Sequence, residues 1–235
     1  PEFLKPHLER NIQNVEVQKN HPSVIIWSLG NEAGNGPNFV KAYEWIKSTG
    51  DRRPVQYERN NWITDMGSRQ YPEVSWVWKA AQGGAGLHHE PSNMPLRYPF
   101  HINEYAHNMG NAMGNLKDYQ DAIESSDVIL GATIWDWVDQ GLWMDKNGKR
   151  IIAFGGDFGD KPNDGFFVMN GCVLSDRELE PGYWEIKHVY QNWTAKADAD
   201  FEKVLVKNKN YFVDSKGVTC KWSLLRNGEP YAAGK

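Results

Sequence analysis

The sequence predicts an α/β chain: part of a (β/α)8 TIM barrel followed by the start of an antiparallel β-sandwich. Three observations lead there. Apolar runs bounded by Pro or Gly alternate with amphipathic stretches along most of the chain. No Gly-rich phosphate fingerprint follows any of these runs, which favours a barrel over an open nucleotide-binding sheet. From about Asp198 the rhythm changes to short apolar runs broken by turn residues. The intervening segment is polar and rich in Ala and Asp, and it divides the chain into a barrel part, 1–195, and a sandwich part, 196–235.

Each element has its own signal. Phe3, Leu4, Leu8, Ile12, Val15 and Val17 lie among charged residues at helical spacing, so a helix is expected over about 2–19. The run Val24-Ile25-Ile26-Trp27-Ser28-Leu29, between Pro22 and Gly30, reads as a parallel strand covered on both faces. Phe39, Val40, Tyr43, Trp45 and Ile46 form a second helical stripe that stops at Gly50. Pro54 to Glu58, Thr64 to Met66, Pro99 to Glu104 and Val128 to Trp135 read as further strands, with a helix from Leu116 to Ile123. About five of the eight strands of a closed barrel are thus present. Beyond 198, Val204 to Val206, Tyr211 to Val213 and Trp222 to Leu225 read as antiparallel strands, and Asn227-Gly228 as a hairpin turn.

Composition narrows the partners. The 235 residues carry 26 basic and 30 acidic side chains, a net charge of -4, without a dense basic run. Neither nucleic acid nor an anionic membrane is expected as a partner. Cys172 and Cys220 are far apart and have no metal-binding or redox spacing. No apolar stretch approaches the roughly 20 residues of a membrane-spanning helix. The start, Pro1-Glu2-Phe3, is neither an initiating Met nor a signal peptide, as if the chain began inside a longer protein. Eleven Trp and ten Tyr supply flat faces suited to sugar C–H surfaces, although aromatic side chains serve equally as core.

Two carboxylates stand out. Asn31-Glu32 follows the run ending at Leu29, and Asn103-Glu104 follows Phe100 to Ile102. Barrel strands present catalytic groups at their C-terminal ends, so both acids are expected in one pocket. Two carboxyl groups are what glycosidic bond cleavage needs: one protonates the leaving oxygen and the other attacks the sugar or activates water. The competing explanation for each Glu alone is a helix cap or a surface ion pair. Asn31 adds an uncharged amide able to bond a substrate hydroxyl.

The motifs around these acids resemble those of β-galactosidases of glycoside hydrolase family 2. His21-Pro22-Ser23-Val24-Ile25-Ile26-Trp27-Ser28-Leu29-Gly30-Asn31-Glu32 looks like the acid/base signature, and Asn103-Glu104-Tyr105-Ala106-His107-Asn108-Met109-Gly110-Asn111 resembles the nucleophile segment. Trp135-Asp136-Trp137-Val138-Asp139-Gln140 and Gly155-Gly156-Asp157-Phe158-Gly159-Asp160 are similar to later segments. The resemblance implies a retaining hydrolase of β-galactosides such as lactose. Glu32 would be the acid/base and Glu104 the nucleophile, with their carboxyl groups about 5 to 5.5 Å apart. It further implies that Tyr71 bonds the nucleophile, that His107 contacts galactose hydroxyls and that Trp135 forms a platform beneath the sugar. The family more often has Cys-Pro-Met before the tyrosine, where this chain has Ser68-Arg69-Gln70.

By the same resemblance, Mg2+ would be held partly by Glu32, and Na+ by the backbone oxygen of Phe167 and the side chain of Asn170. Their remaining ligands would lie outside the chain. The alternatives are a sister β-glucuronidase or β-mannosidase, a carbohydrate-binding scaffold, or a fragment inactive alone. Open sheet edges imply a need for further residues or another copy, and a homo-oligomer is expected of the full-length protein. A cytoplasmic location is the expectation.

Overall fold

The computed structural model describes residues 2–84 and 96–235. The chain divides into two compact units, one up to Val189 and one from Tyr190.

In the first unit, helix α1 (Leu4–Gln18) leads to the short strand β1 (Trp27–Ser28), helix α2 (Pro37–Ser48) and strand β2 (Val55–Gln56). β1 and β2 pair in parallel, Trp27 with Val55 and Ser28 with Gln56. Val15, Trp27, Leu29, Phe39, Ala42, Ile46, Val55 and Tyr57 form the core between them. The Phe39 and Tyr57 rings stack at 4.2 Å, and His7 meets the edge of Phe39 at 4.4 Å, which locks both helices to the strands. The expected strand from Val24 to Leu29 shrinks to two residues, and it is not covered on both faces. Ile25 is 67% exposed, so among the described residues nothing covers its side of the run.

Strand β3 (Gly67–Gln70), helix α3 (Val74–Ala81), strand β4 (Phe100–Tyr105), helix α4 (Leu116–Glu124) and strand β5 (Ile129–Ile134) follow. The order β3-β4-β5 is parallel throughout. Phe100, Ile102 and Tyr105 of β4 are fully buried with Val77, Leu116, Ile129, Cys172 and Ile186. The strand expected at Thr64 to Met66 lies instead at β3. Thr64 Oγ1 sits 3.2 Å from Asn61 O and 3.0 Å from Met66 O, and Asp65 uses its own amide and carboxylate to bond Val55, so this stretch is a turn. The ladder begins at Gly67, where any Cβ would fall 2.3 Å from Arg97 O, so only glycine fits. α3 escaped prediction because its alternating β-branched and aromatic residues, Val74-Ser75-Trp76-Val77-Trp78, look more like strand than helix.

Five parallel strands in two sheets are a partial barrel that does not close among the described residues. His101 of β4 links the sheets: its Nδ1 lies 2.9 Å from Gln56 Oε1 on β2 and its Nε2 lies 3.0 Å from Thr133 Oγ1 on β5. Burial lowers the proton affinity of His101, which favours the neutral ring. With the Gln56 oxygen facing it, Nδ1 carries the proton and Nε2 accepts from Thr133.

A hairpin, β6 (Leu142–Lys146) and β7 (Lys149–Ala153), turns at Asn147 and Gly148, both with positive φ. Helix α5 (Pro181–Val189) ends the unit. The second unit has two antiparallel pairs, β8 (Trp193–Ala197) with β9 (Val204–Asn208), and β10 (Trp222–Arg226) with β11 (Glu229–Gly234). Asn227-Gly228 turns the second pair. Tyr211 to Val213, expected as a strand, has no ladder partner, and Phe212 is fully exposed.

Asp51 anchors the start of β1 and β2. Its carboxylate bonds the Arg53 guanidinium and accepts from Trp27 Nε1 at 3.2 Å, while Arg53 covers the Trp27 ring at 4.4 Å. The Arg53 hydrogen bonds hold the Asp51 carboxyl far below the usual carboxylate range. A depressed carboxyl adds stability above its unfolded value, near pH 4, and loses it as pH falls toward the folded value. The stability gap between wild type and Asp51→Asn is therefore expected to be full at neutral pH and to shrink as pH drops below about 4, read from urea midpoints across pH. A gap independent of pH would contradict the assignment.

Candidate active site

Both candidate acids leave the sheets at the same end. Glu32 lies four residues after β1, with a left-handed backbone of φ 49°. Its amide donates to Glu58 Oε1 at 2.8 Å, and the next amide, of Ala33, donates to Tyr57 Oη at 3.0 Å. Tyr57 Oη in turn donates to Gly34 O at 2.7 Å. The residues just beyond β2 thus cradle the backbone that carries Glu32, while its side chain stays exposed. Glu32, Gly34, Asn35 and Arg59 line a hollow of about 330 Å3. Glu104 does not line this hollow, so the expected shared pocket is not formed there, and two larger hollows, beside Tyr211 to Asp214 and beside Lys19 to Pro54, contain neither glutamate.

Glu104 lies within β4 and is 8% exposed. A buried carboxylate needs donors, and it has one for each oxygen. Gln70 Nε2 donates to Oε1 at 2.8 Å and Tyr71 Oη donates to Oε2 at 2.8 Å. The parallel register sets this, pairing Gln70 with Glu104, while the Tyr71 amide bonds Glu104 O at 2.8 Å. Gln70 Nε2 also reaches Asn31 Oδ1 at 2.7 Å. One side chain therefore joins the segment bearing Glu32 to Glu104. Burial, then the hydrogen bond to Glu104, then the charges of Glu104, Glu32 and Asp136, push the Tyr71 phenol far above its ordinary value. Tyr71 stays a donor, and Glu32, Glu104 and Asp136 all act on it.

The other predicted residues gather around this pair unevenly. The His107 ring lies 5.9 Å from Tyr71 and 6.0 Å from Phe167. Trp135, half-buried, is held by its backbone between Tyr105 O and the Asn108 amide, at 2.9 and 3.0 Å. Asn170 is 2% exposed, its carbonyl accepts from the Asp136 amide at 2.9 Å, and its Oδ1 is buried without a hydrogen-bond partner. An orphaned, buried amide oxygen suits a hard cation, and Phe167 lies three residues earlier in the chain. Among the described residues no group of three or more His, Cys, Asp or Glu could hold a metal ion, so Glu32 has no cluster of such ligands around it.

Three contributors were not singled out in the sequence. Gln70 had only its place beside Tyr71 as a signal. Glu58 ends a predicted strand as Glu32 and Glu104 do, and that signal was available. It is 6% exposed, burial pushes its carboxyl up, and its Oε2 has no hydrogen-bond partner. Asp136 accepts from the Trp137 amide at 2.5 Å and from Gln140 Nε2 at 2.8 Å, fixing the loop after β5.

Comparison with known proteins agrees with this architecture. The family described as glycosyl hydrolases family 2, TIM barrel domain, matches residues 1–195. A β-galactosidase of Vibrio vulnificus (strain CMCP6) is 37% identical over 243 residues, covering 100% of this chain and 23% of that protein. One from Leuconostoc mesenteroides subsp. mesenteroides is 38% identical, covering 97% of this chain and 23% of that protein. The chain thus spans about a quarter of the length of these curated relatives. In fold, it is similar to a β-galacturonidase from Eisenbergiella tayi bound to galacturonate, with a TM-score of 0.56 at 18% identity over 81% of this chain and 37% of that one.

Replacing Glu58 by Ala leaves the Glu32 amide without its acceptor and should cost about 1–3 kcal/mol of stability, whereas Gln keeps an oxygen in place and should cost less. Urea unfolding of the two variants checks this, and equal losses would count against the Glu58 contact.

Proposed function

We propose, from the premise that this chain belongs to glycosyl hydrolase family 2, that the protein carrying it removes terminal β-D-galactosyl groups by double displacement. The observation that carries the proposal is the hydrogen-bonded line Asn31–Gln70–Glu104–Tyr71, which joins the two carboxylate-bearing segments in one place. Glu104 attacks the anomeric carbon while Glu32 gives its proton to the departing glycosidic oxygen. Water then attacks the covalent galactosyl-enzyme, Glu32 takes its proton, and Glu104 leaves as a carboxylate with the configuration retained. Tyr71, kept protonated, and Gln70 hold one oxygen of Glu104 each and so fix the direction of the carboxylate toward the sugar.

His107 and Trp135 complete the sugar pocket, the first offering a ring nitrogen to hydroxyls and the second a flat face to C–H groups. The relatives called β-galactosidase, similar over essentially the whole chain, support galactosides as the substrate class. Asn170 Oδ1 and the Phe167 carbonyl would hold part of a sodium site, and Glu32 part of a magnesium site. When bound, these cations would supply positive charge that steadies substrate hydroxyls and the Glu32 carboxylate.

In the full-length protein, Glu104→Gln is expected to lower kcat by about three orders of magnitude or more without loss of fold, because an amide cannot form the glycosyl ester. An active, purified Glu104→Gln protein would sink the nucleophile assignment. Glu32→Gln should slow substrates with poor leaving groups far more than 2,4-dinitrophenyl β-galactoside, whose leaving group needs no proton. Equal losses on both would speak against its acid role. An aryl β-glucuronide hydrolysed faster than the matching galactoside would overturn the substrate class.

A further inference from the structure

Gln70 ends β3 and serves two partners with one nitrogen, 2.8 Å from Glu104 Oε1 and 2.7 Å from Asn31 Oδ1. A carboxylate only accepts, so Glu104 decides which way the Gln70 amide faces: NH2 inward, one N–H on each oxygen. That choice propagates. With its oxygen turned to Gln70, Asn31 has its own NH2 on the other side, available as a donor in the exposed part of the site. The charge of Glu104 orients Gln70, and Gln70 orients Asn31. Because Tyr71 Oη occupies Oε2 of Glu104, loss of Gln70 would leave Oε1 without its donor in a nearly buried place.

We propose that Gln70 is a positioning residue with two effects: it keeps Glu104 a good leaving group, and it presents Asn31 as a hydrogen-bond donor to a substrate oxygen. The proposal rests on the reading of Glu104 as the nucleophile. In the second half of that reaction, the water oxygen bonds to the anomeric carbon and Glu32 takes the water proton. The bond from the anomeric carbon to Glu104 breaks, and its electron pair returns to the carboxylate. A donor stabilises the charged carboxylate more than the neutral ester. The Gln70 N–H therefore favours breakdown of the glycosyl-enzyme and keeps it from accumulating.

The test uses the full-length enzyme and 2,4-dinitrophenyl β-galactoside, with which formation of the glycosyl-enzyme is fast and its hydrolysis limits turnover. Gln70→Met keeps an unbranched side chain of similar length and removes both donors. It should lower kcat about tenfold to a hundredfold, the loss of one charge-assisted hydrogen bond. KM should fall in step, and at a substrate concentration below the wild-type KM acid-quenched enzyme should carry more hexosyl adduct on the peptide containing Glu104. Gln70→Glu keeps the shape of Gln but sets an acceptor against two acceptors, so it should be at least as impaired as Gln70→Met. If Gln70→Met cannot be purified folded, Gln70→Glu against wild type carries the same readouts.

A packing role alone predicts that Gln70→Met, which keeps the length of the side chain, stays close to wild type, with KM unchanged or raised and no extra adduct. Any of these results overturns the proposal. The wild-type enzyme separates this proposal from the reading beneath it. If a 2-fluoro galactosyl probe labels a residue other than Glu104, both fall. If it labels Glu104 while Gln70→Met turns over and accumulates adduct like wild type, the Gln70 assignment falls alone.

Discussion

A carboxylate that is nearly out of water must be met by donors, and Glu104 imposes that requirement on everything around it. At 8% exposure it would be costly unpaired, and its two oxygens are taken by Gln70 and Tyr71. Both come from the end of the neighbouring strand, so the β3–β4 register is a condition of the site as well as of the sheet. A slip of one residue would turn Gln70 to the other face and leave Glu104 without it. Fold and chemistry meet in that register. β3 follows directly on the turn at Thr64 to Met66, and at its first residue Gly67 passes close to Arg97.

Glu32 is governed differently. Its side chain is exposed, and it is the backbone that is held, by Glu58 and Tyr57 from the strand beside it. One candidate acid is therefore fixed through its carboxylate and the other through its main chain. That division suits the proposed reaction, in which Glu104 keeps a fixed line to a carbon atom while Glu32 moves a proton between partners. Beneath both, His101 ties the two sheets through Gln56 and Thr133, so the strand ends that carry the acids share one polar support.

The five parallel strands leave sheet edges that a closed barrel would not have. This agrees with a chain that spans about a quarter of its β-galactosidase relatives. In the second unit the apolar residues of the ladders lie open, Leu205 at 73% exposure and Trp222 at 51%, as expected of sandwich strands whose inner faces pack on a facing sheet.

The sequence by itself determined the α/β alternation, the change of style after Asp198 and the position of two Asn-Glu pairs just past apolar runs. Each of these is written locally, in periodicity of 2 or 3.6 and in turn residues such as Asn227-Gly228. It also carried the family resemblance, because motifs are strings. Strand limits were harder: Val24 to Leu29 has the composition of a buried strand, yet Ile25 is left uncovered among the described residues. Only the tertiary structure decided that Gln70 lies between Asn31 and Glu104, that Glu58 holds the Glu32 amide and that the Asn170 oxygen is buried without a partner. The physical reason is that hydrogen-bond partners tens of residues apart are chosen by strand register and burial, and neither is encoded in any short stretch of the chain.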